Sequence, residues 1–308
     1  MAAMPARLCR DTDADTYRTL FDIEAYLRLL ARWELRGHAG RSWAGTLSAT
    51  VRSDAESRRA QELADGIIDP LESGLLSYVH LSDLKDVLVG PLWAKCSRHW
   101  RASLDIVKSE FKKLIAVRNK VAHFRPVTDW DAKVVVRFAE DLTRWTRPYR
   151  KLREFEVSWS APGDVTEEVL GLLRKHSLEP VAAELAGVAV PPGDQLSAAV
   201  VGHHVALRLK RSAGALSSQR VTALLSRNER DVTIARVGEF GGSLEVLTPA
   251  ACGSDAIVAL ARDIVSSADE VVEGVSSEEL VSAFGLDRHE GVLTSAVTFP
   301  DPYEYAEG

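Results

Sequence analysis

The chain has 308 residues, 46% of them apolar, which is enough for two ordinary domains with their own cores and excludes wholesale disorder. A formal charge of −6 excludes a bulk polycation, yet residues 91–155 carry sixteen Lys and Arg against seven Asp and Glu, a local +9 that leaves −15 for the remainder. A basic middle in an acidic chain suits one face turned to an anionic partner; a solvated basic helix face is the alternative.

Cys9, Cys96 and Cys252 lie far apart and form no CxxC pair, so neither a disulfide framework nor a zinc site is expected. The N-terminal stretch MAAMPARLCRDTDADTYRTL has no apolar core of the signal-peptide type. No apolar run reaches about 18 residues, so no membrane span is expected, and the cysteine pattern fits a reducing cytoplasm.

Asp15 or Thr16 is placed to cap a first helix running to about Leu35, with Leu20, Ile23, Leu27 and Leu30 on its buried face; Gly37 and Gly40 end it. A more polar helix is expected over Asp54–Ile68, stopped at Pro70. Ser82 is the expected cap of a short helix to Val89, broken by Gly90-Pro91. The next helix is expected over Ser97–Phe124, with Leu104, Val107, Phe111, Leu114 and Ile115 as its apolar stripe. Continued at the same spacing, that stripe runs through Arg118 to Val121 and Ala122. Pro126 stops the helix and disfavours helical geometry at Arg125. Thr128 and Asp131 resemble a capping box that opens a helix to Trp145, its face marked by Trp130, Val134, Phe138, Leu142 and Trp145. Trp33, Trp43, Trp100, Trp130 and Trp145 are read as packing residues. Residues 15–150 are thus all helical, most simply a bundle.

Composition changes after Pro148. A basic linker leads into a strand near Val157, Val165–His176 has helical spacing, and 203–211, 231–237 and 243–247 read as strands, the last two joined by a glycine-rich turn. Asp255–Val272 is an amphipathic helix, and Ser276 or Ser277 caps another. The domain expectation is a helical bundle over 1–150, an α+β domain over 151–290 with a regulatory or recognition role, and an acidic tail over 291–308.

The chemistry concentrates in IAVRNKVAHFRPV, residues 115–127. An arginine in an apolar line is costly unless it is paired or faces a cavity or partner. Asn119 and His123, four apart, share a helix face; Arg118 lies roughly 140° round the helix from His123. That trio suits RNA cleavage by the substrate's own 2′-hydroxyl. A histidine takes the hydroxyl proton near pH 7, a guanidinium holds the charge of the phosphorane with two donors, and an amide orients the phosphate. The reaction requires no metal or other cofactor. Its products are a 2′,3′-cyclic phosphate and a free 5′-hydroxyl. Lys112, Lys113, Lys120 and Arg125 surround the motif and are candidate contacts for the RNA backbone.

RNKVAH resembles the R-N-x-x-x-H signature of the HEPN superfamily, helical-bundle domains of which many are metal-independent RNases in toxin–antitoxin, abortive-infection and other defence systems. FDIEAYLRLLARWELRGHAGRSW (21–43) resembles that family's first long helix, YVHLSDLKDVL (78–88) the segment before the catalytic helix, and RNKVAHFRPVT (118–128) the end of that helix. The resemblance covers about residues 15–150. It implies Arg118 and His123 as the catalytic pair, Asn119 as the polar residue beside the arginine, and a homodimer that brings two motifs to one cleft. It also implies an upstream acid that steadies the arginine, for which Glu24 is the candidate, and a toxin or anti-phage defence role in which an antitoxin or regulatory partner restrains the nuclease. The alternative is a non-catalytic dimerisation, sensing or RNA-binding protein in which Arg118 is a paired surface residue and His123 a helix cap.

The remaining histidines carry less. His203 and His204 are adjacent in a strand and point to opposite faces, which does not suit a metal pair. His80, His99, His176 and His289 have no partner at metal-ligand spacing. Trp93 and Tyr149 are further aromatic side chains of the size that stacks a base.

Overall fold

The computed structural model describes residues 11–66, 74–149, 157–159, 181, 184–185, 187–214, 216–228, 230–237, 242–267 and 293–295. The expected helices over 165–176 and after Ser276, the glycine-rich turn, His176, His289 and Cys9 lie outside the described residues. The chain divides into two compact units, one drawn from Met1–Ala31 and Val79–Arg150, the other from Arg32–Tyr78 and Lys151–Pro300. Composition places a boundary near residue 150; by its contacts the segment Arg32–Tyr78 groups with the second unit as well. No helix among the described residues is long and apolar enough to cross a membrane.

The first unit is helical. It takes Asp11–Ala31 from α1 (Asp11–Ala39), then α3 (Leu81–Val89), the short α4 (Trp93–Cys96), α5 (Leu104–Ala122) and α6 (Asp129–Trp145); α2 (Ala49–Ala64) belongs to the other unit. Leu20, Ile23, Leu27 and Leu30 of α1 are buried as their spacing requires. α5 packs against α3 and α6, where Phe111 meets Phe138 edge-on at 5.1 Å between ring centroids, and Phe138 meets Trp145 at 5.9 Å. Tyr26 and the buried Thr146 share a hydrogen bond of 2.8 Å, tying α1 to the end of α6.

Several boundaries differ from expectation. The helix expected from Ser97 is broken: α4 and a 3-10 turn over Ser97–His99 precede it, and α5 starts only after Ser103, whose hydroxyl accepts the Ile106 N–H. His80, not Ser82, is the N-cap residue of α3, and Ser82 lies in its first turn. The polar helix starts earlier, behind Ser48, whose side chain accepts the Val51 N–H. Thr128 and Asp131 form the full reciprocal capping box at the head of α6. Asp131, at the third position, turns inward, so the buried line of α6 runs Asp131, Val135, Phe138, Leu142, Trp145. Trp130, expected on that line, is rotated about 100° from it and is 62% exposed.

The second unit is built on a sheet. Among the described residues six strands pair in the order β1-β2-β3-β5-β4-β6: β1 (Val157–Trp159), β2 (Gln195–Val201), β3 (His204–Lys210), β4 (Ile234–Val237), β5 (Ser243–Pro249) and β6 (Leu293–Ser295). All neighbours are antiparallel except β4 and β6, so Leu293–Ser295, placed in the acidic tail by composition, adds a parallel edge strand. The helices α7 (Ser218–Arg227) and α8 (Ser254–Ser266) bury Val221, Leu224, Leu225, Ile257, Leu260 and Ile264 with Val205, Leu207, Leu209, Leu244 and Val246 of the sheet. A helical first part followed by an α+β part is therefore the arrangement of the chain.

The carboxyl-terminal turns of α1 are fastened into this second unit by charge. Arg32 donates through Nε to the Thr233 carbonyl at 2.9 Å, and Arg36 through Nη1 to the Val232 carbonyl at 2.7 Å. Arg41, just beyond α1, forms a two-bond pair with Asp231. Trp33 stacks on His204 with ring centroids 3.9 Å apart. Gly37 does not end α1; it sits inside it because an added Cβ would meet His204 Cε1 at 3.0 Å and His203 Cβ at 3.1 Å. The helix stops at Gly40, whose φ of +51° suits a residue without a Cβ.

Candidate functional site

The buried line of α5 is Val107, Phe111, Leu114 and Val117, with Val121 half-buried beyond it. Apolar spacing alone puts Arg118 in that line. It stands beside it instead, because Val117 takes the core position and the next residue is rotated about 100° away. There Arg118 meets α1: its Nε donates to Glu24 Oε1 at 3.3 Å, with side chains 30% and 13% exposed. The other oxygen of Glu24 accepts from Arg28 Nη2 at 2.9 Å. One carboxylate thus steadies two guanidinium groups from two helices. The local signal for the Arg28 half of this arrangement is its spacing of four from Glu24.

Asn119 and His123 are exposed and continue a solvent-facing line through Lys112 and Ala116, at spacings of four, three and four. His123 is the C-cap of α5, and its backbone N–H bonds to the Asn119 carbonyl at 3.2 Å. Arg118 and His123 lie at the same end of α5 but roughly 140° apart around it. Within one chain the helix therefore offers the guanidinium on its α1 side and the imidazole and amide on its solvent side.

After His123 the chain closes α5 with a Schellman motif. Arg125 N–H bonds back to the Lys120 carbonyl at 2.9 Å and Phe124 N–H to the Val121 carbonyl at 3.0 Å. The motif needs a left-handed residue at its turn, usually glycine. Here it is Phe124, at φ +52° and 97% exposed. A left-handed backbone costs a non-glycine residue about 1–2 kcal/mol, and this ring recovers none of it by packing.

The basic residues divide. Lys112 and Arg125 are exposed; Lys113 is exposed too, with its ammonium 2.6 Å from Glu110. Lys120 is not an open cation. Its Nζ lies 2.7 and 2.9 Å from the two oxygens of the fully buried Asp131, which also accepts from the Thr128 N–H at 2.9 Å and hydroxyl at 2.7 Å. Burial pushes the Asp131 carboxyl up, but the hydrogen bonds from Lys120 and Thr128 outweigh it and hold the group below the usual carboxylate range. Lys120 is thus a structural counter-charge with a part-exposed stem. Of the further aromatics, Tyr149 is buried and stands edge-on to His99, and Trp93 packs against Trp100 at 5.5 Å.

Both histidines belong to the second unit, but only His204 is in β3; His203, expected in the strand, lies in the turn before it. His204 is fully buried, its Nε2 is 3.0 Å from Thr233 Oγ1, and His203 lies against His38 at 4.5 Å. Burial drives the His204 pKa down to about 3; Glu34 pulls it up, while His203, Arg36 and His38 push further down. It is a neutral core histidine.

No protein-family model, no curated protein and no solved structure matches this chain.

Proposed function

We propose that the chain is a metal-independent endoribonuclease of the HEPN type, acting as a toxin or anti-phage defence effector in the cytoplasm. The observation that carries this reading is Arg118: a half-buried guanidinium, steadied by Glu24, one turn from an exposed Asn119 and His123 on a basic helix. His123 takes the proton of a ribose 2′-hydroxyl, the 2′-oxygen bonds to the adjacent phosphorus, and the bond to the 5′-oxygen breaks. A second imidazole protonates the leaving oxygen. Arg118 holds the charge gathered on the phosphorane, Asn119 orients the phosphate, and Lys112, Lys113 and Arg125 hold the flanking backbone. The angle between Arg118 and His123 fits a homodimer in which one copy's arginine faces its partner's histidine. The second unit, and an antitoxin or other regulatory partner, would restrain the activity.

The test is RNA cleavage in chelator by the purified chain and by its Arg118→Ala and His123→Ala variants. Cleavage by the parent alone, leaving 2′,3′-cyclic phosphate ends, is the expected result. Intact RNA with the folded parent refutes the reading. The pairing of Arg118 with Glu24, away from His123, favours a second reading, a non-catalytic dimerisation or RNA-binding protein. Equal RNA binding by all three proteins without any cleavage would select it.

A further inference from the structure

The Phe124 ring takes no part in the core. The residue is 97% exposed, it holds the left-handed position of a helix-closing motif that glycine fills without strain, and it immediately follows His123. Asn119, His123 and Arg125 are exposed beside it, with only the small Ala122 and Pro126 as exposed apolar neighbours in the chain, whereas a docking patch for a protein requires a wider contiguous apolar surface. An exposed ring beside cations and amides is an arrangement that stacks nucleobases, since each base offers a π-face and its phosphates answer the charge. The left-handed backbone fixes the direction in which the ring leaves the helix end.

We propose that Phe124 is a stacking platform for an unpaired nucleobase next to the phosphate held at His123, so that the RNA recognised is single-stranded at that nucleotide. A base within a duplex is already stacked on both faces and is not free to lie on a protein ring. The inference rests on the RNA reading above and adds the form of the substrate to it. Trp130, 62% exposed at the head of α6, supplies a second ring to the same end of the unit.

The experiment uses the full chain carrying His123→Ala, so that RNA survives, with and without Phe124→Gly or Phe124→Trp. The probe is a fluorescein-labelled 12-nucleotide RNA of mixed sequence, alone or annealed to its complement, read by anisotropy, with thermal unfolding and sedimentation beside it. Phe124→Gly is expected to bind the single strand about tenfold more weakly, to leave duplex binding unchanged and to melt no lower than its parent. Phe124→Trp is expected to restore binding. Unchanged single-strand affinity in Phe124→Gly, or no RNA binding by any variant, overturns the proposal. A change in self-association with RNA affinity intact overturns it in favour of a protein contact. Cleavage by the His123-containing parent is scored separately. If it fails while binding depends on Phe124, the nuclease reading falls and the platform stands; if it succeeds while Phe124→Gly binds normally, the reverse holds.

Discussion

Removing the Lys120 side chain tests whether this lysine serves the fold before it serves RNA. In Lys120→Ala the fully buried Asp131 carboxylate loses its pairing with the ammonium but keeps the Thr128 N–H and hydroxyl. Breaking a wholly buried pair costs about 3–5 kcal/mol, but Lys120 is 39% exposed, so water shares the charge and the expected loss is about 1–2 kcal/mol. Asp131→Ala loses the capping box as well, worth about 1 kcal/mol, for a total near 2–3 kcal/mol. The double variant is expected to be no less stable than Asp131→Ala, because its coupling is already lost. Urea unfolding at pH 7 measures all three. The pH dependence has a definite sign. A carboxyl held below its usual value contributes stability that is full above the unfolded pKa, about 3.9, and is lost as pH falls through the folded one. The advantage of the parent over Asp131→Asn should therefore be constant near neutrality and shrink below about pH 4. If Lys120→Ala unfolds at the same urea concentration as the parent, the pair carries no weight in the fold and the lysine is free to hold RNA.

Three further outcomes follow from other sites. His204 is held neutral, so its contribution is full above the unfolded value of 6.5 and falls by about 1.4 kcal/mol per pH unit as acid protonates the unfolded chain, down to a folded pKa of about 3; urea titrations between pH 7 and 4 should show a shallower slope in His204→Gln. Gly37→Ala would add about 1 kcal/mol in an open helix, but here the new methyl meets a His204 ring fixed between Trp33 and Thr233. A loss of about 1–3 kcal/mol is expected instead, and a raised melting temperature would contradict it. Glu24→Gln should lower RNA cleavage while leaving the unfolding transition within about 1 kcal/mol of the parent, since the acid anchors Arg28 and Arg118 at the edge of the core; full activity would remove Glu24 from the site.

The parts of the fold legible in the sequence are those where one side-chain pattern has one structural solution. The apolar spacing of α1 and the Thr128–Asp131 box are of that kind. The strand β2 is not legible because Gln195–Val201, QLSAAVV, lacks a polar–apolar alternation; its last four residues are all buried, which removes the period-two signal. The second unit's claim on Arg32–Tyr78 was illegible for a different reason. It depends on arginines donating to the carbonyls of residues 230–233, some 200 positions away, and backbone acceptors leave no mark in sequence. In a helical wheel Arg32 and Arg36 look like surface charges; in the fold both are buried.

The candidate site was legible in its residue types and misplaced in its geometry. The period of α5 permits either Val117 or Arg118 to follow Leu114 at the core, and sequence spacing alone does not choose. Burial does: a β-branched hydrocarbon gains by entering and a guanidinium gains only where an acid waits, which Glu24 provides one position off the line. That rotation turns Arg118 toward α1 and leaves His123 on the solvent side. A nuclease built from both groups must then recruit the missing half of its site from a second copy of the same helix. A protein that only binds RNA has no such need, because Asn119, His123, Phe124 and Arg125 already share one exposed end of α5. Cleavage by the parent decides between them, and combining the inactive Arg118→Ala and His123→Ala variants tests the shared site: a mixed dimer keeps one Arg118 facing one His123 and should recover cleavage only in part, lacking the second imidazole, whereas a site within one chain regains none.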